Sequence, residues 1–188
     1  MTMPELEEYL KAHLDYELQW LLRAATEWYV QDRIKLEIEG YQLQVYAMDS
    51  AFLHGRTLFE FFTQRTTGNY YGCDAFGVPV LVSSRYPGDW KAPLHSHAMH
   101  AQDRTSTNQL TSFDGASKKG LNQMPVDFAM EIVILWREFA PALGRSTNQD
   151  IQNLEATATN LLTSAIENAK NITTNKMVKP YGVVPIPW

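Results

Sequence analysis

The sequence predicts an all-α fold, an antiparallel bundle of about five helices with a long loop between the second and third. Two observations predict it. Apolar residues recur at spacings of three and four over several long stretches, which is the pattern of amphipathic helices. Only the short run VPVLV resembles an extended strand, so no sheet is expected. Helices joined by short to medium connections favour a bundle of neighbours.

The five predicted helices differ in how much of their circumference is apolar. The first (4–31) and the last (148–171) carry one apolar face each. The second (41–64) and the fourth (125–143) are apolar over most of their circumference, so each is expected to be buried within the domain or, for the fourth, to form half of a dimer interface. The third (93–108) is shorter and more polar.

The length favours a single domain. The chain has 188 residues and is 45% hydrophobic, which suffices for one core. We expect residues 1–171 to form the helical domain and 172–188 to be a proline-rich, extended tail. The glycine- and proline-rich loop at 66–89 is long enough to suggest a function, although packing over a bundle end explains it equally well.

Composition limits the class of function. The formal charge of -5 would repel nucleic acid overall, so any RNA contact needs a local basic patch. The single cysteine, Cys73, excludes an internal disulfide and fits a reducing compartment. The first residues lack the features of a signal peptide, and no apolar run approaches the roughly twenty residues of a membrane span. We therefore expect a cytoplasmic protein without a membrane partner.

The stretch LHGRTLFEFF places two basic residues, His54 and Arg56, inside an otherwise apolar helix. Asp49, Arg56 and Glu60 share one helical stripe, so Arg56 can meet carboxylates on both sides. One interpretation is a structural ion network, and the other is that the oriented Arg56 binds an anion such as phosphate. Gly55 falls on the packing stripe, where a glycine lets another helix come close.

The segment APLHSHAMHAQDRTSTN has the densest group of ionisable residues. In a helix, His97, His100 and Arg104 project from one face because they are spaced by three and four residues. If that face meets the second helix, His54 and Arg56 join them in one site.

Three interpretations of this cluster stay open. His54, His97 and His100 could offer three nitrogens to zinc, although Arg104 would place a positive charge beside the cation. His100 with Arg104 or Arg56 could cleave a phosphodiester by acid–base catalysis. The residues could also simply hydrogen-bond across helices. We expect neither a metal nor another cofactor.

FLHGRTLFEFF followed by HAMHAQDR resembles a group of small bacterial helical proteins with LHxRxLxxFF and His-x3-Arg stretches. The nearest named group is the HEPN-like (higher eukaryotes and prokaryotes nucleotide-binding) bundles, and the similarity covers about residues 41–140. The resemblance implies a homodimer, and many such proteins are ribonucleases marked by an arginine followed four to six residues later by a histidine. Here the order is reversed, since His100 precedes Arg104.

The sequence and the resemblance together predict a protein that binds RNA or a nucleotide phosphate, with metal-independent RNA cleavage in stress or defence as an extension. The predicted catalytic residues are His100 and Arg104, and the predicted binding residues are His54, Arg56 and His97. Two alternatives remain: a non-enzymatic homodimeric interaction protein, and a metal-dependent hydrolase of the helical-bundle type. Whether the protein is an enzyme is left open.

Overall fold

Four long helical stretches dominate the computed structural model, which describes residues 2–34, 38–68, 70–83, 124–174 and 182–188. Within these residues the chain forms helices and a single isolated bridge, but no strand. The all-α prediction is therefore confirmed. The predicted third helix, with His97, His100 and Arg104, lies outside the described residues.

The first long stretch is continuous but changes its winding near its beginning. It starts with Pro4 in the first turn and with the Thr2 backbone N–H donating to Glu5 Oε2 at 2.6 Å, an arrangement that stabilises a helix start. The other helices follow in chain order. The elements are α1 (Met3–Glu8), a π-helical turn (Tyr9–Leu14), α2 (Asp15–Ile34), α3 (Ile38–Thr63), a 3-10 helix (Cys73–Phe76), α4 (Met124–Gly144), α5 (Gln149–Gln152) and α6 (Leu154–Thr174).

The first stretch and α3 run antiparallel. The ring of Tyr9 meets that of Phe61 at 6.3 Å, and Glu17 meets His54 at 2.7 Å, so rising numbers on one helix pair with falling numbers on the other. This is the arrangement expected for helices joined by a short connection.

By contrast, α3 and α4 run parallel. Phe52 meets Phe128 at 6.4 Å, and Phe62 meets Trp136 at 5.9 Å, so the residue numbers rise together. Parallel neighbours need a connection that returns along the bundle, and the chain between residues 64 and 123 is long enough to provide it.

The fourth stretch closes the bundle between α4 and α2. Trp136 Nε1 donates to the Ala158 carbonyl at 2.9 Å, which ties α4 to an antiparallel α6. Asn168 Nδ2 donates to Gln19 Oε1 at 3.0 Å, which ties α6 to α2. The core therefore lies between α2, α3, α4 and α6.

The second helix was expected to be buried over most of its circumference, but its Tyr46 and Leu53 are exposed, so that expectation is wrong. The apolar circumference of α4, by contrast, is explained by burial inside the domain. Its Phe128, Ile132, Trp136 and Phe139 are fully buried. The close approach predicted at Gly55 is also confirmed, because a Cβ atom there would lie 2.6 Å from the Phe128 ring.

The loop that follows α3 packs over the end of the bundle. Cys73 and Phe76 are fully buried, and the Phe76 ring meets Phe139 at 5.6 Å. The Leu81 N–H donates to the Phe62 carbonyl at 2.8 Å, so the chain turns back beside α3. Packing therefore accounts for this part of the loop, as one of the two interpretations of its length expected.

The last described residues, 182–188, are not helical, but they are attached to the bundle. Ile186 is buried in a small cluster with Trp28, Ala47 and Val126. The main-chain oxygen of Trp188 accepts a hydrogen bond from Arg137 at 3.1 Å. The chain end thus covers one side of the bundle.

Candidate functional site

His54 is oriented by a carboxylate on another helix. Its Nδ1 lies 2.7 Å from Glu17 Oε2, and the residue is only 8% exposed. The imidazole stacks on the Trp20 ring at 6.3 Å and meets the edge of Tyr16 at 5.6 Å. The contacts of His54 therefore run to α2.

The partnership with Glu17 was missed from the sequence, although a signal was present. Glu17 sits beside Leu14, Leu18 and Leu21, which are fully buried on the core side of the helix. A carboxylate next to such a stripe needs a hydrogen-bond partner from a neighbouring helix. The identity of that partner depends on the register between α2 and α3.

Arg56 pairs with Glu60, as its spacing predicts. Arg56 Nε donates to Glu60 Oε1 at 3.2 Å, and the two side chains are 24% and 16% exposed. Asp49, the other predicted partner, is half-buried on the same helix. The pair is local, so the helix alone determines it.

His54 and Arg56 do not form one cluster in the described structure. Residues two apart on a helix project in different directions, and each of these two has its own carboxylate partner. His97, His100 and Arg104, with which they were predicted to assemble, lie outside the described residues.

The loop adds a tyrosine beside the Arg56–Glu60 pair. Burial raises the pKa of Tyr70 far above its usual value, the Glu60 carboxylate adds to this, and the Arg56 guanidinium opposes it. The Tyr70 hydroxyl is buried and has no hydrogen-bond partner among the described residues. This tyrosine therefore stays protonated at neutral pH.

A second group of aromatic and basic side chains lies along the first helical stretch. Its members alternate at spacings of four and three residues, so they follow one side of the helix. We call this group the aromatic face; it consists of Tyr9, His13, Tyr16, Trp20 and Arg23.

The rings of the aromatic face contact one another and are accessible. Tyr9 meets His13 at 5.4 Å, and Tyr16 meets Trp20 at 6.1 Å. The Arg23 guanidinium carbon lies 5.4 Å from the centre of the Trp20 ring, in the geometry of a cation–π contact. Tyr16 is 53% and Trp20 is 40% exposed, although rings of this size are usually buried.

Two acidic residues near the aromatic face each have a hydrogen-bond partner. Glu17 is held by His54, and Glu27 Oε1 accepts from Arg23 Nε at 2.9 Å. The Arg23 side chain remains 58% exposed, so the outer part of its guanidinium faces solvent. The aromatic face therefore has an accessible cation, Arg23, while Glu17 and Glu27 are both hydrogen-bonded.

A groove borders the aromatic face between α2 and α6. It is lined by Gln19, Trp20, Arg23, Asn168 and Ile172. The amides of Gln19 and Asn168 are hydrogen-bonded to each other at 3.0 Å. The groove therefore offers polar amide groups next to an exposed indole ring.

Metal and thiol chemistry find little support in the described part of the chain. No three metal-ligating side chains come together among the described residues, and His97 and His100 lie outside them. Burial raises the pKa of the Cys73 thiol to about 11, which disfavours the reactive thiolate. None of the described helices is both long and apolar enough to span a membrane.

Comparisons with known proteins identify no family for this chain. No family model, no curated protein and no solved structure matches it. Function is therefore inferred from the residues and their geometry.

Proposed function

We propose that this protein binds RNA or a nucleotide on the aromatic face. One observation carries the proposal: Tyr16 and Trp20 are 53% and 40% exposed beside a guanidinium, Arg23. Exposed aromatic rings stack on unpaired bases, and each such contact is worth about 1–3 kcal/mol. An accessible guanidinium beside them suits a phosphate.

His54 serves this site as a positioning residue. Its imidazole is stacked behind Trp20 and fixed by Glu17, so the indole is held by a rigid neighbour. A ring held in place loses less conformational freedom when a base stacks on it. The amides of Gln19 and Asn168, which line the adjoining groove, are suited to the polar edge of a base.

Stacking should contribute more to binding than charge. The chain has a net charge of -5, and Arg23 is the one arginine or lysine of the aromatic face, so the face is not the basic patch that the net charge led us to expect for an RNA contact. One phosphate contact gives a salt slope of about -0.7 for a single strand, so affinity should fall only about threefold between 50 and 200 mM salt.

The proposal keeps several expectations from the sequence. They are a HEPN-like bundle, a cytoplasmic location, and cleavage of bound RNA by His100 and Arg104 without a metal. His97 and Arg56 remain proposed contacts for the RNA backbone, with Arg56 held ready by Glu60. Cleavage has a test separate from that of binding.

Binding is tested with a fluorescent single-stranded RNA of twelve nucleotides and measured by anisotropy. Trp20→Ala should weaken binding about 5- to 150-fold, which corresponds to 1–3 kcal/mol. Ile134→Ala on α4 is the matched control, since Ile134 is 43% exposed and lies outside the aromatic face. Equal binding by the wild type and Trp20→Ala would refute the proposal.

Cleavage is tested by incubating the same RNA with the protein in EDTA. His100→Ala and Arg104→Ala should each leave the RNA intact while the wild type degrades it. Intact RNA with the wild type would exclude a metal-independent ribonuclease. A stoichiometric metal in unchelated protein would favour the hydrolase alternative instead.

A second candidate function is interaction with another copy of the chain through α3. Leu43, Tyr46 and Leu53 are 55%, 68% and 47% exposed and share one stripe of this helix. Exposed apolar residues grouped in this way are typical of protein interfaces. Light scattering should show a mass that doubles with concentration in the wild type and stays monomeric in Tyr46→Lys. A monomeric wild type at 100 µM would contradict a homodimer.

A further inference from the structure

We infer that the ligand of the aromatic face is a single-stranded oligonucleotide lying along the first helical stretch, rather than a mononucleotide. This inference rests on the proposed function and adds the ligand's length and path. The inference depends on the part of the face that precedes Trp20 in the sequence, where Tyr16, His13 and Tyr9 lie on the same side of the helix.

The face is longer than a single nucleotide. At a rise of about 1.5 Å per residue, Tyr9 and Arg23 lie roughly 20 Å apart along the helix. A stacked base occupies about 3.4 Å of a strand, so one nucleotide would cover only a fraction of the face. The exposed side chains of His13, Tyr16 and Trp20 offer three successive positions for bases.

The π-helical turn extends the face towards the start of the chain. Tyr9–Leu14 is wound with more residues per turn than an α-helix. Leu10 and Leu14 are both fully buried on one side of this turn, and the rings of Tyr9 and His13 lie together at 5.4 Å on another. π-helical turns are rare and frequently mark functional sites.

The loop after α3 defines one end of the face. Tyr71 meets Tyr9 edge-on at 5.7 Å, and Tyr9 also leans on the buried Phe61. Burial raises the pKa of Tyr9, with added repulsion from Glu17, so its hydroxyl stays a hydrogen-bond donor. Arg23 lies at the other end, where its guanidinium suits a phosphate of the same strand.

The chemistry of the face favours bases over a protein partner. The exposed large apolar residues of this stretch, Tyr16 and Trp20, are both aromatic, and the described exposed leucines lie on α3. Hydrogen-bonding groups from His13, Arg23 and the nearby amides lie between and beside the aromatic rings of the face. That combination stacks and hydrogen-bonds unpaired bases, as single-strand binding proteins do.

The test compares uridine oligonucleotides of one, three, six and twelve residues by their competition with the fluorescent twelve-nucleotide RNA, measured by anisotropy. Affinity should rise at least 100-fold from UMP to the hexamer and change less than threefold beyond it. His13→Ala should weaken hexamer binding at least fivefold, whereas Trp20→Ala should weaken the binding of both the hexamer and UMP.

Lys11→Ala is the matched control. Lys11 lies two residues from Tyr9 and from His13, so it projects away from the face, and it is paired with Glu7. Its removal should change hexamer binding less than twofold. Circular dichroism confirms that each variant keeps its helices.

The possible failures are distinguishable. If UMP and the hexamer bind equally and His13→Ala has no effect, the extended path is wrong, but dependence on Trp20 would keep the proposed function. If Lys11→Ala weakens the hexamer as much as His13→Ala, general charge rather than the face guides the strand, and the inference falls. If no oligonucleotide binds, both the inference and the proposed function are refuted.

Discussion

Replacing Gly55 by alanine tests how closely the helices approach behind His54. A Cβ atom at this position would lie 2.6 and 2.7 Å from two carbons of the Phe128 ring and 3.3 Å from Leu21 Cδ1. The Phe128 ring cannot move away easily, because it is fully buried between Phe52 at 6.4 Å and Phe59 at 5.7 Å.

Two opposing effects set the size of the change. Overpacking a core costs about 1–3 kcal/mol, whereas alanine is favoured over glycine inside a helix by about 1 kcal/mol. Gly55→Ala should therefore lower the free energy of unfolding by about 1 kcal/mol. For a chain of this size the melting temperature should fall by about 2–4 °C.

Urea unfolding followed by circular dichroism measures this change, and a second variant provides the control. In a Phe128→Leu background the added methyl group has space, so Gly55→Ala should become stabilising by up to about 1 kcal/mol. A Gly55→Ala protein that is more stable than the wild type would show that α4 does not approach α3 at Gly55.

Three further predictions concern buried or paired groups. Burial raises the pKa of Cys73 to about 11. Iodoacetamide at pH 8 should therefore label this thiol only as fast as the protein unfolds. Rapid labelling of the native protein would contradict the burial of Cys73. Burial raises the pKa of Asp74, but hydrogen bonds from Thr66 outweigh it, so the net pKa is lowered. The stability that these hydrogen bonds contribute is present above the unfolded pKa of Asp74 and is lost as the pH falls through its folded pKa. Asp74→Ala should therefore lower the free energy of unfolding, measured in urea, by about 1–2 kcal/mol at pH 7 and by less at pH 3. An equal loss at both pH values would refute this linkage. Glu17→Ala should lower the free energy of unfolding by about 1–2 kcal/mol. Because it frees the His54 ring that stacks on Trp20, it should also change the near-UV circular dichroism of tryptophan. An unchanged spectrum would argue against the stacked imidazole.

Local features of the fold were predictable because they depend on neighbours in sequence. The first turn of α1 contains Pro4, which suits a helix start, and the position of Gly55 on the packing stripe and the pairing of Arg56 with Glu60 follow from spacing within one helix. The burial of α4 follows from its apolar circumference.

The site was less predictable, because it depends on contacts between helices. The spacing of Tyr16, Trp20 and Arg23 can be read from the sequence, but spacing alone does not say which side of a helix its neighbours leave uncovered. In the structure α3 and α6 pack beside this side and leave the two rings accessible.

The sequence by itself determined that the chain forms long helices with a large apolar core, since propensity and periodicity act over a few residues. The tertiary structure decided that α3 and α4 run parallel, that Glu17 meets His54, and that Tyr71 reaches Tyr9. These contacts join residues far apart in the chain. Their register is set by how the whole core packs, which no local pattern encodes.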